Sequence, residues 1–126
     1  MLYLLTRSGV SNDLFDNAKE IKRILASTKN VYDVYDKILN EAVRIDKNEL
    51  VLIVLGSAGK CLAYDMFNLG YQVVDIGQVD MYYAWYLKGQ EIKTPNPYKY
   101  VLHLPEMEIK DIDNIEYNKQ IIAKIM

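Results

Sequence analysis

The chain has 126 residues, of which 51% are hydrophobic and 25% are charged, and its formal net charge is −2. This composition is typical of a soluble globular protein and excludes a disordered chain, while the absence of a basic excess gives no reason to expect a nucleic acid partner. Because no apolar run approaches the roughly 18 residues of a membrane-spanning helix and the single cysteine, Cys61, allows no intramolecular disulfide, we expect a cytoplasmic protein with no membrane span.

The N-terminal third is predicted to contain one strand and two helices. Residues 3–6 form the strand, and a turn containing Gly9 follows. Asn12 or Ser11 then caps a helix, because the next apolar side chains are spaced four, three and four residues apart, at Leu14, Ala18, Ile21 and Leu25. A second helix is expected at residues 31–45, where apolar residues again share one face.

Residues 50–80 show the strongest pattern, which is a strand, a turn, a helix and a second strand. Residues 50–55 are apolar throughout, which predicts a strand covered on both faces in the interior of a parallel sheet. A tight turn follows, formed by Gly56, Ser57, Ala58 and Gly59. Apolar residues at helical spacing then continue to Gly70, and residues 71–76 are expected to return as the second parallel strand.

The last third is predicted to add a short aromatic helix at residues 80–87 and an open loop at Pro95 and Pro97. An edge strand at residues 98–104 and a closing helix at residues 117–125 complete the order β-α-α-β-α-β-α-β-α. We therefore expect a single α/β domain over residues 1–126, with a Rossmann-like layered architecture in which helices flank a mostly parallel sheet.

Four segments of the chain carry a resemblance to a known family. They cover residues 7–18, 21–24, 55–65 and 70–80, and they include the motifs Arg7-Ser8-Gly9-Val10 and Asp75-Ile76-Gly77. In this order they resemble the C-terminal half of the GT-D fold glycosyltransferases, which are bacterial enzymes that transfer sugar from a nucleotide sugar. The resemblance implies a nucleotide sugar as ligand and a divalent metal, Mn²⁺ or Mg²⁺, as cofactor.

The chain departs from the family pattern at three places. The acidic Asp-x-Glu motif belongs to the N-terminal half of family members, so the metal ligands are expected to be largely missing here. The turn reads Gly-Pro-Thr-Ala in the family, where this chain has residues 56–59. The family run Gly-His-x-Asp-x-Glu appears as residues 77–82, with Gln78 in place of the histidine and Tyr82 in place of the glutamate.

The expected substrate-binding residues lie near the carboxyl ends of the predicted strands. We expect Arg7 to contact the diphosphate, Asn12 and Asp13 to hold sugar hydroxyls, and the turn of residues 56–59 to approach phosphate. Asp75 accepts hydrogen bonds from a ribose, and Gln78 contacts the sugar. Structural alternatives remain open for all of these except Gln78: helix caps at residues 12 and 13, a surface ion pair at residue 7, a tight turn without ligand, and an aspartate that caps the turn before Gly77.

Asp80 is the expected catalytic residue, because it matches a family acid that would join a metal shell or orient the acceptor. The alternative is a helix N-cap, which needs no function. Tyr82, Tyr83, Trp85 and Tyr86 form an aromatic cluster. Such rings suit stacking on a sugar or a base, but packing on the sheet or a subunit interface, with a second copy or with the missing N-terminal half, is the favoured explanation.

Three functions are consistent with this sequence. The first is a glycosyltransferase-related domain that binds a nucleotide sugar and is incomplete or inactive alone. The second is a non-catalytic remnant or assembly subunit that binds another protein chain. The third is a small dinucleotide-binding module, which the spacing of Gly56 and Gly59 disfavours.

Overall fold

The computed structural model describes residues 2–7, 14–26, 30–91, 95 and 114–126. Nine helices and strands and one 3₁₀ turn lie within these ranges. In chain order they are β1 (Leu2–Arg7), β2 (Ile21–Ala26), the 3₁₀ turn (Val31–Val34), α1 (Tyr35–Ala42), β3 (Leu50–Val54), α2 (Ser57–Asn68), β4 (Gln72–Asp75), α3 (Val79–Lys88), α4 (Ile115–Gln120) and β5 (Ile121–Ile125).

The five strands form one sheet in the order β4-β3-β1-β2-β5, and every pair of neighbours is parallel. This confirms an α/β fold with a parallel sheet. β3 pairs with β1 on one side and with β4 on the other, so the interior position predicted for residues 50–55 is confirmed. The strand at the middle of the sheet is β1.

The main core lies between one face of the sheet and the pair α1 and α2. Val51 and Ile53 point from β3 into this core and are fully buried. Leu62 and Met66 of α2 pack on them, as predicted from helical spacing. The predicted helix at residues 31–45 is confirmed as the 3₁₀ turn followed by α1, with its buried residues on one face. A separate small cluster is formed by Met81, Ala84 and Trp85 of α3.

The helix predicted between Asn12 and Leu25 is wrong, because residues 21–26 form β2. This strand lies between β1 and β5 and is covered on both faces, so five of its six residues are buried. A short apolar run buried on both faces cannot be distinguished from a buried helix by spacing alone.

The closing helix predicted at residues 117–125 is also wrong beyond Gln120. The chain turns there from α4 into β5, which pairs in parallel with β2. Burial in β5 alternates between partly buried and exposed residues, as expected for an edge strand rich in isoleucine. The predicted edge strand at residues 98–104 lies outside the described residues. Within the described ranges, no helix is long and apolar enough to cross a membrane.

Candidate functional site

The candidate site lies at the carboxyl ends of the parallel strands, which meet at one edge of the sheet. β1 ends at Arg7 and β3 at Val54, and the register pairs Thr6 with Val54. After β1 the chain continues to β2, toward one end of the strand order. After β3 it continues to β4, at the opposite end of that order. The gap between the ends of β1 and β3 is therefore the point where the winding direction reverses, which is where open α/β sheets bind ligands.

The turn after β3 has a backbone conformation that requires glycine. Gly56 has φ of 63° and ψ of −143°, a region that residues with a Cβ atom avoid. Its carbonyl accepts the first hydrogen bond of α2, from Gly59 N at 3.1 Å. No side chain caps this end of α2, so its first N–H groups, next to the exposed Ser57, are directed at the sheet edge.

Gly59 and Ala58 hold α2 close to β3. A Cβ atom on Gly59 would lie 2.9 Å from Ile53 Cγ2 and 3.3 Å from Leu55 Cβ, which is too close for the packed strand to accommodate. The Ala58 side chain is buried in the core. These two residues therefore have a packing role, and only their backbone atoms are placed to contact a ligand.

Asp75, at the end of β4, is fixed by two contacts. Its Oδ1 accepts a hydrogen bond from Gly77 N at 2.9 Å, which is the turn-capping role anticipated as the alternative. Its Oδ2 lies 3.2 Å from Lys60 Nζ. Sequence reasoning missed Lys60, although its position one helical turn after Gly56 places it on the side of α2 that faces the site.

Gln78 and Asp80 begin α3 in different ways. Gln78 is the N-cap residue, and its carbonyl accepts from Met81 N at 3.0 Å, without a side-chain capping bond. Asp80 is therefore not the N-cap that the alternative anticipated. It is the second residue of α3 and only 5% exposed, and its Oδ1 accepts from Met81 N at 2.8 Å.

Arg23 is a buried arginine that the sequence analysis did not single out, and it interacts electrostatically with Asp80. Arg23 of β2 is 5% exposed, its Nε donates to Gln120 Oε1 at 2.7 Å, and its Cζ atom is 4.3 Å from the centroid of the Tyr117 ring. Burial lowers the pKa of Arg23, and electrostatic interactions with Tyr117, Asp80 and Asp16 oppose that shift. Asp80 thus acts as a counter-charge to Arg23.

The structure describes only one of the remaining predicted site residues. Arg7 is the last residue of β1, paired with Ala26 of β2, whereas Asn12 and Asp13 lie outside the described residues. The structure therefore brings the position of Arg7, the Gly56 turn and Asp75 to one edge of the sheet, with Gln78 three residues beyond the end of β4.

The described residues do not by themselves fit the divalent metal that the resemblance implies. Among them, no group of three or more His, Cys, Asp or Glu side chains is placed to hold an ion. Both oxygens of Asp75 already have partners, and Asp80 is buried.

The aromatic helix α3 has one buried side and one exposed side. Trp85 is buried and meets the Tyr82 ring edge to face, with 5.5 Å between the ring centroids. Tyr82 and Tyr86 are 47% and 79% exposed. Packing of α3 explains Trp85, whereas the exposed tyrosines are not needed for it.

Comparisons with known proteins place this geometry in a family. The family model described as glycosyltransferase GT-D fold matches residues 5–104. The chain is 36% identical over 122 residues to glycosyltransferase GlyD of Streptococcus pneumoniae serotype 4, covering 96% of this chain and 15% of that protein. It is 37% identical over 123 residues to the probable glycosyl transferase Gly of Streptococcus gordonii, covering 97% of this chain and 18% of that protein.

Solved structures agree with the sequence comparisons. A domain of unknown function 1792, described as having a distinct glycosyltransferase fold, superposes with a TM-score of 0.86 at 36% identity, covering 99% of this chain and 47% of that one. A glycosyltransferase of the same domain type from Streptococcus sanguinis gives a TM-score of 0.86 at 35% identity, covering 99% and 48%. The chain therefore spans about half of these solved structures and less than a fifth of the curated relatives, and it belongs to the glycosyltransferase GT-D fold family.

Proposed function

We propose that this chain is the part of a glycosyltransferase that holds the nucleotide sugar, and that the catalytic unit is completed by residues outside this sequence. The observation that carries the proposal is the reversal of winding between β1 and β3. In Rossmann-like sheets this reversal opens a crevice at the carboxyl edge. The position of Arg7 and the glycine turn flank it, and Asp75 lies one strand farther, at the end of β4.

Each residue at this edge has chemistry suited to one part of a nucleotide sugar. The N–H groups at the start of α2, beside Gly56 and Ser57, suit the diphosphate, because a helix N-terminus carries free donors and partial positive charge. Arg7 adds a charge-assisted contact to the same group. Asp75 suits the ribose hydroxyls and Gln78 the sugar. Asn12 and Asp13 retain the sugar-binding role that the family resemblance implies.

Asp80 is assigned a positioning role in this proposal. The Asp80 side chain is buried, and its negative charge favours the charged form of the buried Arg23. Asp80 therefore stabilises the start of α3 and hence the loop that carries Gln78. A catalytic role, as expected from the resemblance, would require α3 to expose this carboxylate in the assembled enzyme.

Calorimetry with a panel of nucleoside diphosphates, with and without Mn²⁺, tests the proposal. We expect weak binding by the chain alone, further weakened by Arg7→Ala and by Gly56→Val. The second change introduces side-chain atoms and backbone strain where phosphate must approach the backbone. Gly89→Val is the matched control, because Gly89 also has positive φ, of 62°, but lies at the C-terminal end of α3.

The outcome separates a site effect from a folding effect. Gly56→Val and Gly89→Val both place a β-branched residue at positive φ, but ψ of −143° makes the Gly56 position more strained than Gly89, with ψ of 27°. Loss of binding in the first variant alone therefore locates the site at the turn if urea unfolding shows that Gly56→Val is still folded under the binding conditions. Tight binding that neither Arg7→Ala nor Gly56→Val changes would place the site elsewhere. No binding to any nucleoside diphosphate would favour a non-catalytic remnant.

A further inference from the structure

We propose that Lys60 is a diphosphate-binding cation of this site, and that Asp75 holds the lysine in place until a diphosphate binds. The inference rests on the proposed function and adds to it a residue that neither the sequence pattern nor the family resemblance singled out. It also gives Asp75 two successive partners, first the lysine and then a ribose hydroxyl.

The position of Lys60 follows from the geometry of α2. Lys60 is the fourth residue of that helix. Its spacing of four from Gly56 places its side chain on the same face of the helix as the exposed glycine turn. Its Nζ lies 3.2 Å from Asp75 Oδ2, and its side chain is 75% exposed. An exposed ammonium group from the first turn of α2, whose N-terminal end has no side-chain cap, thus lies at the end of β4.

In this ion pair the aspartate side chain is held by a second contact, whereas the lysine side chain is exposed and can rotate away. The Asp75 side chain is only 16% exposed, and its Oδ1 is held by Gly77 N at 2.9 Å. Lys60 has no comparable restraint, because its exposed side chain has several freely rotating bonds. An exposed pair of this kind stabilises the protein little and is screened by salt, so it costs little to separate.

A diphosphate is a stronger partner for Lys60 than one carboxylate. It carries at least two negative charges and several acceptor oxygens, and charge-assisted hydrogen bonds to phosphate are among the strongest that a lysine makes. When Lys60 turns from Asp75 to the diphosphate, Asp75 Oδ2 becomes available to accept a hydrogen bond from the ribose. Binding of the diphosphate and recognition of the ribose are therefore coupled through this pair.

Titration calorimetry with inorganic pyrophosphate separates these roles, because pyrophosphate has no ribose. We expect Lys60→Gln to weaken pyrophosphate binding about tenfold or more, the size of a charge-assisted contact. Lys60→Arg should retain most of the affinity. Asp75→Asn should bind pyrophosphate about two- to fivefold more tightly, because the lysine is released and a like charge is removed. An amide oxygen at residue 75 still accepts the bond from Gly77 N.

Lys119→Gln is the matched control, because Lys119 also forms an exposed ion pair, with Glu116 at 3.5 Å, but on α4. This variant should bind pyrophosphate as the unmodified chain does. The tightest nucleoside diphosphate of the panel provides the second ligand. With it, Asp75→Asn should show a smaller gain than with pyrophosphate, or a loss, because the charge that accepts the ribose hydroxyl is gone.

The possible failures are distinguishable. If Gly56→Val abolishes pyrophosphate binding while Lys60→Gln changes it by less than about twofold, the inference is overturned and the proposed function stands. Weaker pyrophosphate binding by Asp75→Asn overturns the holding role of Asp75. If the unmodified chain binds neither pyrophosphate nor any nucleoside diphosphate, both the inference and the proposed function fail.

Discussion

Asp80 and Arg23 are two opposite charges that the fold has removed from water. Each is 5% exposed, and the negative charge of Asp80 opposes the lowering of the Arg23 pKa by burial. Gln120 and the Tyr117 ring provide the other partners of the guanidinium. Removing one member of such a set leaves a buried charge without compensation, which costs much more than the pair contributes.

Asp80→Ala should therefore lower the free energy of unfolding by about 3 kcal/mol. An N-cap role alone would predict about 1 kcal/mol. Asp36→Ala is the matched control, because Asp36 is also an aspartate in the first turn of a helix but is exposed, and it should cost less than about 1 kcal/mol. Urea unfolding of the three proteins measures the difference, and equal costs for the two substitutions would contradict the counter-charge role.

Sequence reasoning succeeded at single residues whose role is decided locally. Gly56 requires a positive φ, and Asp75 contacts the backbone only two residues away, so the local sequence contained the signal. It failed where the partner is distant along the chain. Arg23 meets Gln120 across 97 positions and Lys60 meets Asp75 across 15, and no local pattern reports such pairings.

At the scale of elements, the predictions that failed concern strands mistaken for helices. β2 and β5 are short apolar runs, and their neighbours in the sheet, not their own spacing, decide their conformation. α2 was predicted correctly because its buried residues recur at helical spacing over 12 residues. Length therefore decided which elements the periodicity could identify.

The junction of α4 and β2 is expected to make the fold sensitive to alkali. Burial raises the pKa of Tyr117 to about 12 from an ordinary value of 10.0. Because the folded state favours the neutral phenol, its contribution to stability is fully present below pH 10 and is lost as the pH rises toward 12. At pH 11 the loss from Tyr117 should be about 1 kcal/mol.

Tyr117→Phe tests this contribution. The phenyl ring still packs on Arg23, and the variant removes a buried hydroxyl that has no hydrogen-bond partner of ordinary geometry among the described residues. Stability near pH 8 should therefore be unchanged or slightly higher, and the decline between pH 10 and 12 should be smaller. Urea unfolding across this range measures both. Tyr64→Phe, at a 67% exposed position of α2, should decline as the unmodified protein does.

At the scale of the whole molecule, the sequence predicted the layers but not the order of the strands. The continuous apolar run of β3 indicated an interior parallel strand, which the sheet confirms. The order β4-β3-β1-β2-β5 depends on where each crossover returns, and that is decided by packing across the whole sheet. The reversal of winding between β1 and β3, on which the proposed site depends, is therefore visible only in the structure.

The chain alone is predicted to transfer no sugar. Gln78 and Tyr82 stand where the family resemblance expects a histidine and a glutamate, and an amide is neither a general base nor a strong metal ligand at neutral pH. The described residues contain no cluster of side chains suited to hold a cation. Among the described residues, the contacts proposed to stabilise the charge that develops on the departing diphosphate are those of α2, Arg7 and Lys60, although electrostatic stabilisation is usually the largest contribution to catalysis.

Incubating the purified 126-residue chain with a panel of nucleotide sugars, with and without Mn²⁺, and measuring nucleotide release tests this prediction. We expect release no faster than in buffer, while nucleoside diphosphate binding is retained. A full-length relative assayed in parallel shows that the conditions support transfer. Metal-dependent release by the chain alone would refute the prediction, and its loss in an Asp80→Ala variant that urea unfolding shows to be folded, but not in Asp36→Ala, would assign the reaction to Asp80. Asp80 would then be catalytic, and its carboxylate, which is 5% exposed, would have to leave its buried position during turnover.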